Sequence, residues 1–170
     1  MENDIQLGEI LIKKNIISVS VFEKARLAYL EEKIKIILRD DSISYRSFPQ
    51  ILVEDFNADS DLVYHETAKF FAFKELEISV DDIPATQISW IKNTFDNLKP
   101  SVKQKMIANE IIILNTEKIL NRILYKFLAV NPTCNQTAKI LFEISPGKTG
   151  FEIIVIKKKE FEKLLNLIQK

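Results

Sequence analysis

The 170-residue sequence contains one cysteine, Cys134, and one histidine, His65. A single cysteine cannot form an internal disulfide, and this composition is typical of proteins in a reducing, cytoplasmic setting. Two such residues are also too few for a metal site built from histidine and cysteine, so we expect none. His65 falls on a predicted helix without a neighbouring nucleophile, and we interpret it as an ordinary surface residue rather than a catalytic base.

Long apolar runs are also missing. The longest uninterrupted ones, such as Ile111–Leu114 and Phe127–Val130, are far shorter than the roughly 20 residues that a membrane-spanning helix needs. The first residues, Met1–Asp4, have neither the basic start nor the apolar core of a signal peptide. We therefore expect no direct insertion into a membrane.

Glycine is scarce, with three residues in the chain, and this bears on phosphate binding. Pro146–Thr149 contains a Gly-Lys-Thr sequence, but a P-loop needs a further glycine at the position that Phe142 occupies. We interpret this segment as a turn. Lys157–Lys159 is a short basic run without interleaved aromatic residues, so we predict no nucleic-acid binding. No catalytic motif is visible, and we predict that this chain is not an enzyme.

Charge is balanced over the whole chain but not along it. Residues 1–82 carry a net charge of −7 and residues 83–170 a net charge of +7. Two differently solvated surfaces account for this asymmetry, and so does one half adapted to a partner.

A weak internal repeat organises the first half. Glu9–Ile12 and Gln50–Val53 align at a shift of 41 residues, and each copy is typical of a short helix, a turn and a longer amphipathic helix. Ser18 is the predicted N-cap of the second helix in the first copy, because its hydroxyl can accept an unpaired backbone N–H. Asp59 or Ser60 is predicted to do the same in the second copy.

The second half changes character, because β-branched runs alternate with helical patterns. We predict an α+β protein: a helical subdomain of two helix-pair repeats at 1–78, followed by a small α/β subdomain at 79–170 with two or three strands. Polar residues at 115–121 are predicted to form a turn between strands. Trp90 and Phe142 are predicted to face the core of this subdomain. The predicted strands are Ile111–Leu114, Ile123–Val130 and Phe151–Ile156, and the helices are 84–97, 100–108, 136–144 and 159–168.

Several segments, in order, resemble the N-terminal domain of type II secretion and type IV pilus assembly ATPases. Gln6–Leu11 with Ile16–Ser18 is similar to that family's Arg-Leu-Gly start, and Gln50–Phe73 repeats it. Leu98–Leu114 resembles the family's leucine-proline, basic helix and strand. Leu128–Thr133 is similar to its Val-Ala-Met-Ala-Asp-Pro-Thr stretch. No single motif is highly specific, and the order of the segments carries the resemblance.

The resemblance implies a non-catalytic adaptor or regulatory domain. Such a domain docks onto the cytoplasmic region of an inner-membrane secretion or pilus assembly protein, and it works with a motor ATPase domain in cis or in trans. The expected location is cytoplasmic and peripheral to the inner membrane. This chain is then either a fragment of a longer ATPase or a free-standing regulatory protein.

In one branch of the family, the tandem motifs bind cyclic di-GMP. The resemblance places the ligand-binding positions of the first copy at Gln6, Leu7, Gly8, Leu11, Ile12 and Asn15. A cyclic di-GMP-sensing domain is therefore the alternative to the adaptor. Its ligand groove would lie beside Gly8, and the basic residues predicted to point into it are Lys13, Lys14 and Arg46.

The polar contacts of that site are poorly matched. Gln6 replaces the family's arginine, which removes a planar donor fork suited to phosphate. Asn15 replaces its second glycine, which removes a close approach of the backbone, and Tyr29 replaces its terminal glutamine. The second copy departs further, with Ser47 at the arginine, Phe48-Pro49 at the leucine-glycine pair and Phe56 at the second glycine. We therefore predict that the chain has no cofactor and does not bind cyclic di-GMP tightly.

Overall fold

A computed structural model describes residues 2–39, 46–120, 122–144 and 149–169. Three of the four residues of the predicted turn at Pro146–Thr149 lie outside these ranges. The helices are α1 (Glu2–Lys13), α2 (Val19–Arg39), α3 (Phe48–Phe56), α4 (Ser60–Phe70), α5 (Ala85–Asp96), α6 (Pro100–Ala108), α7 (Gln136–Ile144) and α8 (Lys158–Gln169), and the strands are β1 (Lys74–Glu75), β2 (Ile111–Ile119), β3 (Arg122–Ala129) and β4 (Thr149–Val155). The predicted α+β class, with a helical first half, is confirmed.

The chain divides into two compact units, and the first comprises Met1–Ala72 and Thr133–Asn135. Its four helices form the two predicted pairs. Helix α1 packs on α2 and α4, and α3 also packs on α2 and α4, so each copy's first helix touches the second helix of both copies. The shared core contains Leu7, Leu11, Ala25, Phe48, Ile51 and Leu52. Burying this apolar stripe is what holds the short helices, because helices of 9 or 12 residues are marginal alone.

Local capping fixes where these helices begin. The Ser18 hydroxyl accepts a hydrogen bond from the Val21 N–H at 3.2 Å, and Asp59 accepts one from the Leu62 N–H at 3.0 Å. Both predicted caps are confirmed. Ser47 caps α3 by accepting from the Gln50 N–H at 3.3 Å, and Pro49 lies in the first turn, where no N–H is needed.

The ends of α1 and α3 are marked by asparagines in the left-handed region. Asn15 has φ 58°, and Asn57 has φ 52°. After α1, the Asn15 N–H donates to the Ile12 carbonyl and the Ile16 N–H donates to the Leu11 carbonyl, both at 2.9 Å. This is a Schellman motif with Asn15 at its left-handed position. Asn57 lies one residue later than a 41-residue shift predicts, and the turn of the second copy is shorter, because residues 57–59 separate α3 from α4 whereas residues 14–18 separate α1 from α2.

The second unit comprises Phe73–Pro132 and Gln136–Lys170. Its sheet has the strand order β1-β4-β3-β2, in which β2 and β3 are antiparallel and β4 is parallel to both β3 and β1. Helices α5 and α6 pack on β2, α7 packs on α6, and α8 packs on α5. The core lies where these helices cover the sheet, around Ile111, Ile112, Phe127, Leu128 and Leu164.

The predicted turn at 115–121 is wrong, because Asn115–Ile119 continues β2. These residues pair with Lys126 back to Arg122, after a register shift between Ile113 and Asn115. Their polarity misleads because this end of the sheet extends beyond its covering helices, where strands need no apolar face. Strand β1 was also missed, because two residues paired with Ile154 and Val155 give no periodic signal.

Two aromatic residues predicted to be buried are exposed. Trp90 is 36% exposed, while its helix turns Ile91 and Phe95 inward. Phe142 is 71% exposed, because α7 buries Thr137, Ile140 and Leu141. The face of α7 is thus rotated from the predicted one, and an aromatic side chain is left on the surface.

Asn15 provides a test of the turn after α1. Asn15→Val should lower the free energy of unfolding by about 1–2 kcal/mol, because a β-branched residue is strained at positive φ. Asn15→Gly should leave it unchanged or raise it slightly. The measurement is urea denaturation. Asn93→Val, on an exposed position of α5 with ordinary helical geometry, is the matched control and should change stability little. Equal losses of unfolding free energy in both valine variants would contradict the left-handed conformation assigned to Asn15.

Candidate functional site

The six predicted ligand-binding residues all belong to α1 and its turn, but they point in different directions. Leu7, Gly8 and Leu11 are buried within the first unit, and Ile12 is half-buried. Gln6 and Asn15 are exposed. The apolar members therefore form the core of the helix pairs, and the two polar members remain on the surface.

Gly8 is covered by an aromatic ring from α2. A Cβ atom added at Gly8 would lie 2.0 Å from Cε2 of Phe22, far inside contact distance. The ring of Phe22 packs edge-on against Phe48, with ring centroids 5.9 Å apart. Glycine at this position thus lets α1 approach α2 closely. The ring of Phe22 therefore covers Gly8 on the side where the predicted ligand groove would lie.

Arg46 is the most strongly bound of the three predicted basic residues. Its Nε donates to Glu32 at 2.8 Å, and its two terminal nitrogens donate to both Asp55 oxygens at 2.7 and 2.9 Å. Glu54 accepts a further bond at 3.0 Å. Hydrogen bonds to Asp55 and then Glu32 raise the pKa of Arg46 above its ordinary value. This guanidinium is therefore already surrounded by three carboxylates.

Lys14 is also paired within the chain. Its Nζ lies 2.6 Å from Oε2 of Glu66, a glutamate on α4 that is almost fully buried. A buried carboxylate without a cation is costly, so this pair ties the end of α1 to α4. Lys13, the third predicted basic residue, is exposed. Of the three cations, two are therefore held by carboxylates of the first unit.

A small cavity of about 200 Å³ opens where α3 begins. Tyr29, at the first copy's glutamine position, lies beside Ser47, at the second copy's arginine position. The Thr133 hydroxyl donates to the Ser47 hydroxyl at 2.7 Å and forms another wall. The remaining lining residues are Asp4, Phe48, Pro49, Phe71 and Asn135.

This cavity brings together residues that are far apart in the sequence. Thr133 belongs to the Asn-Pro-Thr stretch singled out by the resemblance, but no periodicity places it beside Ser47. Asp4 contributes a carboxylate, which disfavours a phosphate at the same place. The volume is also below the about 300 Å³ at which typical ligand clefts begin. The cavity suits a group smaller than a dinucleotide.

The sequence matches no protein-family model and no curated protein. Solved structures do match it. The structure of MshE with cdg superposes on this chain with a TM-score of 0.52 and 12% sequence identity, covering 96% of each chain. At this identity the likeness shows a shared fold, which here extends over almost the entire length of both chains.

Two kinds of feature were not found in the described part of the chain. Within it, no group of three histidine, cysteine, aspartate or glutamate side chains is arranged to hold a metal ion. None of its helices is long and apolar enough to cross a membrane.

Gly8→Ala tests whether glycine here serves helix packing. The added methyl group must displace the Phe22 ring, so we expect a loss of about 1–3 kcal/mol in unfolding free energy, as for other overpacked cores. Gly150→Ala is the matched control, because its Cβ would lie 3.5 Å from Leu124, an ordinary contact. Combining Gly8→Ala with Phe22→Leu should give a smaller loss than the sum of the single losses. Strictly additive losses would contradict the packing role.

Arg46→Met should destabilise the first unit by about 1–3 kcal/mol, because it removes charge-assisted hydrogen bonds and leaves three carboxylates together. Arg46→Lys should recover only part of this loss, since an ammonium cannot reproduce the planar donor fork. Thermal and urea unfolding measure both variants. Arg26→Met, an exposed position on α2, should stay within about 0.5 kcal/mol of the wild type. A full recovery by lysine would contradict the multidentate role.

Proposed function

We propose that this chain is a non-catalytic adaptor or regulatory domain of a type II secretion or type IV pilus assembly ATPase. The observation that carries the proposal is the shared fold with MshE across 96% of both chains. The order of the resembling sequence segments supports it independently. The domain would dock onto the cytoplasmic region of an inner-membrane assembly protein, and so lie in the cytoplasm, peripheral to that membrane. A motor ATPase domain would be present in cis or in trans.

The contacts within the first unit favour protein docking over nucleotide sensing. A phosphodiester ligand needs free cations and backbone within reach. Arg46 and Lys14 are instead paired with carboxylates, and the Phe22 ring covers Gly8. Displacing Glu32, Glu54 and Asp55 from Arg46 would cost a ligand much of its own binding free energy.

Cyclic di-GMP sensing remains the second candidate, because the matching MshE structure is one with cdg. Under this alternative, the ligand would bind at Gln6, Leu7, Gly8, Leu11, Ile12 and Asn15, and Phe22 would have to move. No cofactor is part of the proposed adaptor function.

Two binding measurements on the same preparation test the proposal. The chain is immobilised and exposed to the cytoplasmic regions of the inner-membrane secretion and pilus assembly proteins of its source organism. In parallel, it is titrated with cyclic di-GMP by calorimetry. We expect micromolar or tighter binding to one cytoplasmic region and no heat with the nucleotide. Gln6→Arg, which restores the family's cation, is the matched control for the titration.

The opposite pattern would overturn the proposal. Micromolar binding of cyclic di-GMP by the wild type, without binding to any of the cytoplasmic regions, would make the sensor the correct function. Nucleotide binding by Gln6→Arg alone would support the proposal, because it would locate the lost affinity at the exchanged arginine.

A further inference from the structure

The hairpin of β2 and β3 ends in exposed aliphatic side chains. Ile119 pairs with Arg122, and Leu120 directly follows β2 at this end of the hairpin. Ile119, Leu120 and Ile123 are all exposed, and Leu120 is 90% exposed. We call residues 118–120 and 122–124 the hairpin tip. Its apolar surface extends from the end of a sheet whose opposite end forms the core of the second unit.

Leu120 is conformationally out of place in this turn. It has φ 53°, a region in which two-residue hairpin connections favour asparagine, aspartate or glycine. A leucine here is strained and remains almost completely in water, so it contributes neither local nor packing stability to the folded chain. Burial of Leu120 by a partner protein would explain why a leucine occupies a position where it destabilises the isolated chain.

A cavity of about 530 Å³ opens beside this leucine. Gly150 pairs with Leu124 in the neighbouring strands, and the missing side chain at Gly150 leaves the surface concave there. The other lining residues are Ile119, Leu120, Arg122 and Ile123. The tip thus offers a protruding leucine next to an apolar groove. A small molecule in the groove would leave Leu120 exposed, whereas a polypeptide can cover both.

Charges around the tip indicate the chemistry of that polypeptide. Further along the same face, cations are neutralised: Lys126 lies 2.8 Å from Glu117, and Lys74 lies 2.6 Å from Glu152. At the tip, Arg122 lies on this face and has no carboxylate partner within the ranges that the structure describes. Lys118 has none there either, but it pairs with Ile123 and so belongs to the opposite face of the hairpin. Residues 83–170 also carry a net charge of +7. Arg122 therefore places an unpaired positive charge at the apolar groove.

We propose that the hairpin tip is the docking site for an acidic amphipathic segment of a partner protein. Apolar side chains of the segment fill the groove and cover Leu120, and a carboxylate beside them pairs with Arg122. This inference rests on the proposed adaptor function, because it specifies the surface and the partner chemistry through which such a domain would dock.

The test uses two synthetic amphipathic peptides with the same leucine positions, one with glutamate and one with lysine at the polar positions. Each is titrated into the ¹⁵N-labelled full chain. We expect the acidic peptide to shift amide signals of residues 117–124 and 149–152, and to bind at least about tenfold more weakly in 0.5 M salt, where surface charges are screened. Equal binding of the basic peptide, shifts confined to α2, or no shifts would overturn the proposal.

Leu120→Asn separates docking from folding. It should weaken acidic-peptide binding at least about tenfold, as expected for a central apolar anchor. It should also raise the midpoint of thermal unfolding by about 2–4 °C, because asparagine tolerates positive φ. Gly150→Val should weaken binding by filling the groove. Leu27→Ser is the matched control, since Leu27 on α2 is a 62% exposed leucine away from the tip, and it should leave binding within about twofold.

The outcomes also distinguish this inference from the proposed function. If an inner-membrane assembly protein binds wild type and Leu120→Asn equally, the docking surface is wrong while the adaptor function stands. If the acidic peptide binds at the tip but no assembly protein binds, the surface stands and the adaptor function fails. Weaker binding of Leu27→Ser than of Leu120→Asn would place docking on α2 and overturn the inference.

Discussion

The first unit depends on how closely α1 lies against α2. That approach is set by Gly8, whose missing side chain leaves room for the Phe22 ring. Phe22 in turn contacts Phe48, and Phe48 lies 6.2 Å from the ring of Tyr29. Because Phe48 begins the second helix pair, this aromatic cluster joins the two repeats. Of the six positions expected to bind a ligand, Leu7, Gly8 and Leu11 are here part of the packing of the protein itself.

Charged side chains of the first unit are also bound to one another. The first half of the chain is rich in carboxylates, and they hold Lys14 and Arg46, two of the three basic residues expected beside a ligand groove. Arg46 binds Glu32 of α2 and both Glu54 and Asp55 of α3. It therefore links the two repeats, as the aromatic cluster does. These contacts fix the orientation of α2 relative to α3, and the three carboxylates neutralise the charge of Arg46.

The sequence was informative wherever local chemistry decides structure. Ser18 and Asp59 were identified as caps because a hydroxyl or carboxylate before an apolar periodicity has a local partner. The strand at Asn115–Ile119 was missed because these mostly polar residues have no apolar alternation, and they are extended because they pair with β3. Phe142 was misplaced because a short helix with several apolar residues does not specify which face is buried. The partners of Arg46 and the neighbours of Ser47 were inaccessible, since they depend on tertiary geometry.

The three residues Thr133–Asn135 belong to the first unit although most of the second unit precedes them in the chain. Thr133 reaches Ser47 across 86 residues of sequence. During synthesis on the ribosome, the four N-terminal helices emerge long before this wall of their cavity exists. Closing so long a loop carries an entropic cost that short-range helix pairing avoids. The cavity beside Ser47 is thus completed last, and a polypeptide that stops at residue 78 would have the helices but not the finished cavity.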